Sequence, residues 1–238
     1  MGCDIHLHVE TQSKNGWETA DKWKKSDGGL HVDYDDIFYA DRNYTLFALL
    51  ADVRNGYGVA GCDTGNPVQP IADPKGLPND VCQQVRDEYI CWGSDAHSAS
   101  WLTLQELMAF DWTQKATLRG VVDGPEYASW RHNKNRLRYR SPSSWCGGIS
   151  GANIRHCTPQ RMDDLLEEVK ARATEDIGFW EIVRNELKDT YCRIEWTEPY
   201  HMICEAFWYE CMPRLLELAQ CETGFCPERV RIVFWFDN

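Results

Sequence analysis

The opening stretch MGCDIHLHVE places Asp4, His6, His8 and Glu10 at every second position. Carboxylates and imidazoles bind divalent ions and carry protons, and two imidazoles on one strand face can converge on a single ion. Further along, GSDAHSASWLTLQEL repeats the Asp-x-His pattern as Asp95 and His97, with Ser98 and Trp101 close behind. If the two stretches meet, His6, His8, Asp95 and His97 are the expected ligands of a zinc, manganese or iron ion. Asp4, Glu10 and His97 are then the expected catalytic groups, as orienters or general bases beside the ion. The competing explanations are a polar, solvated strand face and serines or threonines that cap a helix.

Positioning these groups requires particular elements. In the first ten residues Cys3, Ile5, Leu7 and Val9 alternate with the polar set, which predicts a strand with one apolar face. The final ten residues are β-branched and aromatic, with Val230, Ile232, Phe234 and Phe236 on one face. The two ends are expected to pair in the middle of one sheet. Thr190 to Glu198 and Lys115 to Val122 are further strand candidates.

Helices are expected between them. RNYTLFALLADVR follows Asp41 as a candidate N-cap, and Asp80 with Gln83, and Thr103 with Glu106, stand in capping-box register. Thr158 and Pro159 mark another helix start. GFWEIVRNELKD and PYHMICEAFWYECM complete the set, the last broken by Pro213. Segments of about 55–80 and 123–156 read as ordered loops, and Ser94 to Ser100 as a loop at a helix entrance. The expectation is one α+β domain over 1–238. It holds a single mixed, mainly antiparallel sheet with the terminal strands central, packed against several helices.

MGCDIH, RNYTLFALLADVRNGYGVAG, GLPNDV and DAHSASWLTLQELMAFDW resemble a family of phage and bacterial proteins of unknown function, over roughly the first half of the chain. The resemblance implies a bacterial cytosolic setting and draws attention to Arg42, Asn43, Asp52, Arg54 and Asn55. DIHLH and GSDAH also resemble the metal-binding pieces of PHP-type phosphoesterases. Only a short span separates the two motifs here and no strand–helix alternation follows, so the barrel of that family is not expected.

Arg42 and Arg54 flank one helix, and Arg54 and Asn55 open a glycine-rich loop, a combination suited to phosphate or carboxylate. The expected ligand-binding set is Arg42, Asn43, Arg54, Asn55, Ser98 and Trp101. The run RHNKNRLRYR, 131–140, carries five cationic residues with Trp130 and Tyr139 nearby; a solvated loop or an anchor on an acidic partner explains it.

Composition narrows the classes. Against 25 basic residues stand 37 acidic ones, a formal charge of −12, which excludes general duplex nucleic-acid binding. No apolar run approaches the roughly 20 residues of a membrane span. The eleven cysteines are irregularly spaced with no Cys-x-x-Cys pair, which favours reduced thiols over a zinc ribbon.

These observations lead to a metal-dependent hydrolase acting on a phosphorylated or nucleotide-like small molecule in the cytosol of a bacterial host. The alternative is a non-catalytic phage protein that sequesters a nucleotide signal or blocks a host defence protein. A homo-oligomer or a host protein partner is compatible with either.

Overall fold

The structure, a computed structural model, describes residues 2–26, 29–134, 141–222 and 224–237. Of the basic run 131–140, residues 135–140 lie outside the described residues. The chain is α+β, and its contacts divide it into two compact units. One comprises Met1–Asn55, Pro67–Gln114 and Tyr200–Asn238, and the other Gly56–Asn66 and Lys115–Pro199.

The first unit is built on an antiparallel four-stranded sheet. Its strands are β1 (Asp4–Ser13), β2 (Gly16–Thr19), β5 (His97–Thr103) and β11 (Val230–Asp237), in the order β2-β1-β11-β5. The terminal strands therefore pair at its centre, Asp4 opposite Asp237 through Thr11 opposite Val230. Two strands form a separate hairpin, β3 (Trp23–Ser26) with β4 (Gly29–Val32). The expected single sheet is corrected on this point: the second unit carries a sheet of its own. Alternation reveals a strand, but partner choice depends on contacts distant in sequence.

Each face of the first sheet is covered. Ile5, Leu7 and Val9 lie opposite Phe236, Phe234 and Ile232, and all six are buried. On that side Phe47, from α1 (Tyr44–Ala51), has its ring 5.0 Å from that of Phe236. On the other face Val233 and Trp235 pack with Val81, Cys82 and Val85, the last on α2 (Gln83–Trp92). Apart from Arg231 and the terminal Asp237, strand β11 is apolar on both faces, as a strand covered on both sides must be.

Helix caps decide several boundaries. Thr103 ends β5 and caps α3 (Leu104–Ala109), with Glu106 completing the expected capping box. Asn43, not Asp41, caps α1: its Oδ1 accepts from the Leu46 amide at 3.0 Å. Asp80 does not cap α2, whose N-cap is Cys82; its carboxylate is bound to Arg231 instead. The C-terminal helical stretch runs as α7 (Tyr200–Ile203), a wide π-helical turn (Phe207–Cys211) and α8 (Met212–Leu218). Pro213 sits in the first turn of α8, where a missing N–H breaks no helical bond. A short hairpin follows, β9 (Gln220–Cys221) with β10 (Gly224–Phe225).

The second unit holds β6 (Lys115–Asp123) antiparallel to β8 (Thr190–Pro199), with β7 (Arg155–Cys157) parallel on the other side of β8. Helices α5 (Pro159–Arg172) and α6 (Phe179–Glu186) bury Met162, Val169, Ile182 and Val183. Within the region expected to be loop, Gly124–Lys134 is a helix, α4. Its Gly-Pro start resembles a turn, yet proline is favoured in a first helical turn. Gly65 lies against β6 at φ 151°, where an added Cβ would stand 2.3 Å from the Thr117 carbonyl oxygen. Only glycine tolerates that approach.

Candidate functional site

Strand β2 pairs only with Glu10–Ser13, so the N-terminal half of β1 keeps one edge unpaired by any strand among the described residues. A cleft of about 330 Å³ runs along that edge. Asp4, His6 and His8 line it from β1, with Asp21 and Trp23 on one side and Glu88 of α2 on another. The alternation of the first ten residues is thus the feature that builds the site: it presents the polar set while Ile5, Leu7 and Val9 anchor the strand in the core.

His8 is the most firmly held group. Its Nδ1 lies 2.9 Å from Asp21 Oδ2, and Asp21 is itself buried and held by Thr19 and the Val9 amide. The ring is stacked between Trp23 and Trp235, at 5.3 and 5.1 Å between centroids. The carboxylate can only accept, so Nδ1 is the donor of this bond and Nε2 is the ring nitrogen left for other contacts. No hydrogen bond to Nε2 occurs among the described residues.

His6 is packed differently. Its ring stacks on Trp235 at 5.8 Å and leans on Trp92 at 4.0 Å. Its Nε2 is buried without a hydrogen-bond partner among the described residues, 3.6 Å from Asp237 Oδ2. Burial pushes the imidazole pKa below its usual 6.5, against the pull of Asp237, and keeps the ring neutral at pH 7.

Asp4 stands at the rim in a two-pronged bond with Arg42, at 2.8 and 2.6 Å. The guanidinium holds the Asp4 carboxyl below its ordinary value, so it carries charge and is a weak proton acceptor. Arg42 is correspondingly committed to an acid.

Glu10 occupies a different place from its three neighbours. It is fully buried, bonded to Arg231 Nε at 2.7 Å and to the Cys82 amide at 2.7 Å. Arg231 reaches on to Asp80 at 2.8 Å and lies under the Trp17 ring at 3.9 Å. A carboxylate so enclosed is structural, which removes Glu10 as a general base.

The second Asp-x-His stretch is not where the sequence pattern suggests. His97 opens β5, a strand where a loop is expected, because serine and alanine carry little β preference of their own. Ser100 pairs with Phe234 and His97 with Phe236, so β5 carries one extra residue at Ser98–Ala99. Ser98 takes the left-handed conformation, φ 52°. Residues opposite one another across antiparallel strands share a face. His97 therefore shares the face of Phe236 and Ile5, while His6 shares that of Trp235. Asp95 is exposed in the preceding short 3₁₀ turn. The four expected ligands are not brought together, and no group of three or more metal-binding side chains gathers among the described residues.

The remaining expected ligand groups have other partners. Asn43 donates to the Ile203 carbonyl at 2.6 Å as well as capping α1. Asn55 exchanges two hydrogen bonds with the Val68 backbone, both at 2.7 Å, and ties down the loop. Arg54 lies beside Cys3 and 5.8 Å over the Tyr44 ring, on the face away from His6 and His8. Ser98 Oγ is 3.1 Å from His97 Nδ1, and Trp101 receives the Lys75 ammonium at 4.2 Å over its ring.

No protein-family model, curated protein or solved structure matches the chain. The site therefore rests on its own geometry. Asp21, Trp23 and Glu88 are among the cleft residues that motif reading misses, as is His31. The short spacing from His8 to Asp21 was the one available signal for the first two, since a hairpin return across about that length places a carboxylate beside the strand it leaves; nothing local marked Glu88. No helix among the described residues is long and apolar enough to cross a membrane.

Proposed function

We propose that the chain is a hydrolase whose centre is the cleft along β1, working with a divalent ion held by His6 and His8. The carrying observation is the pair of imidazoles on one strand face, each set beside a carboxylate: His8 on Asp21 and His6 near Asp237. Such carboxylate–imidazole pairs orient metal-binding histidines and raise their basicity. His6 stays neutral at pH 7, as a ligand must.

Two protein ligands leave the rest of the ion's shell to water and substrate. When bound, the ion supplies positive charge and Lewis acidity in the cleft. Asp4, Asp21 and Glu88 make the wall acidic, so a phosphorylated substrate enters favourably only in company with a cation. We assign proton acceptance to Glu88, because Glu10 is enclosed by Arg231 and Asp4 is held ionised by Arg42. Trp23 and Trp235 hold the His8 ring flat and fix where its Nε2 points. A bacterial cytosol suits this reading, with an acidic chain and many reduced cysteines.

The test is calorimetric titration of zinc or manganese into the wild type and into His6→Asn and His8→Asn, alongside turnover of a simple aryl phosphodiester. Binding of about one ion, lost in both variants, with metal-dependent turnover is the expected result. Equal binding in all three proteins overturns the assignment. Ion and phosphoester binding without turnover replaces hydrolysis with sequestration.

A further inference from the structure

The eleven cysteines differ sharply in setting. Cys3, Cys204 and Cys211 are fully buried, and Cys157 and Cys192 are neighbours across β7 and β8. Burial pushes the thiols of Cys192 and Cys211 each up to about 12, far from the thiolate form that reacts. Cys91 is exposed on α2. Cys221 and Cys226 combine exposure with closeness: Cys221 is exposed, Cys226 half-buried, and their sulfurs lie 2.8 Å apart.

The hairpin accounts for that approach. Cys221 pairs with Gly224 and Phe225 with Gln220, and the Cys226 amide donates to the Ala219 carbonyl at 2.9 Å. In this register Cys226 lies opposite Ala219, two residues from Cys221 on the same face. The two side chains are diagonal neighbours across the hairpin. A disulfide places its sulfurs at roughly 2.05 Å, so closure from this geometry needs only a small side-chain movement.

We propose that Cys221 and Cys226 are a thiol modification site that a low-molecular-weight disulfide of the glutathione type oxidises to an intramolecular disulfide. One thiolate attacks a sulfur of the oxidant, and the oxidant's S–S bond breaks to release one thiol. The second cysteine then attacks the protein sulfur of the mixed disulfide and expels the second thiol. Two protein thiols lose two electrons and two protons, and one oxidant disulfide becomes two thiols. The short loop makes the second step intramolecular and fast compared with any partner in solution. The proposal is independent of the cleft.

Trypsin provides a direct readout, because the fragment 215–229, LLELAQCETGFCPER, contains Cys221 and Cys226 and no other cysteine. The folded full-length protein is treated with oxidised glutathione, quenched with N-ethylmaleimide and digested. The fragment should carry no label, weigh two hydrogens less than the reduced form, and regain two labels after dithiothreitol. Cys221→Ser, with no resolving thiol, should retain glutathione on Cys226. Exposed Cys91, with no neighbouring thiol to resolve it, should retain glutathione or remain available for labelling. A wild-type fragment that stays doubly labelled, or that accumulates a stable glutathione adduct, overturns the proposal. Circular dichroism of each sample confirms that the fold persists.

Discussion

His6 faces Trp235 and His97 faces Phe236, so the histidines of the two Asp-x-His stretches occupy opposite faces of one sheet. The extra residue at Ser98–Ala99 causes the separation. Without it, alternation from Trp101 would carry His97 to the face of His6. His97→Ala is accordingly expected to keep divalent-ion affinity within about twofold of wild type, as for independent sites. Calorimetric titration beside His8→Asn checks this. A large loss of affinity in His97→Ala would show that both stretches serve one centre.

Asp21 should matter to the cleft although no motif includes it. Asp21→Asn keeps a hydrogen-bond acceptor near His8 Nδ1 but removes the charge behind the ring. Ion affinity is expected to fall roughly 10–100-fold, as for other carboxylates behind metal-binding histidines. The same titration reads it, and unchanged affinity would mean that the His8–Asp21 pair only stabilises the fold.

The Glu10–Arg231 pair predicts a strongly non-additive mutational cycle. Both side chains are essentially buried; removal of Arg231 leaves the Glu10 carboxylate without a cation, and removal of Glu10 leaves the guanidinium in the core with only the exposed Asp80 as its counter-charge. Glu10→Leu or Arg231→Met alone is expected to cost about 3–5 kcal/mol. The double variant should recover most of that loss, because neither charge then remains. Urea unfolding of the four proteins measures the cycle; additive single effects would contradict it.

The depressed pKa of His6 makes stability depend on pH in a defined direction. In the unfolded chain the ring takes a proton near its ordinary 6.5, whereas in the fold it does so only at lower pH. Below 6.5 the unfolded state therefore binds more protons, and stability is lost as pH falls toward the folded value. Above 6.5 both states are neutral and the contribution is fully present. Urea midpoints between pH 7.5 and 5 should fall more steeply for wild type than for His6→Asn. Parallel slopes would show that His6 titrates normally.

Much of this arrangement was legible in the chain. The alternation of Cys3 to Glu10 and the β-branched, aromatic C-terminus indicated paired terminal strands, because period-two burial leaves a direct trace in residue type. The Thr103–Glu106 capping box and the Thr158–Pro159 start were equally readable, since both are local contacts within a few residues. Strand β5 was not: Ser98, Ala99 and Ser100 have weak preferences, and their conformation follows from β11 beside them. Helix α4 was obscured by an opening Gly-Pro that reads as a turn.

For the site, sequence alone determined that Asp4, His6, His8 and Glu10 share a strand face, because side-chain direction follows from local backbone geometry. Which of them remain available was decided by tertiary structure. Arg231, far along the chain, enclosed Glu10; Asp21 oriented His8; Trp92, Trp235 and Asp237 surrounded His6. One residue of bulge moved His97 to the opposite face. Charge pairing, desolvation and strand register depend on distances between segments remote in sequence, and those distances exist only once the sheet has closed.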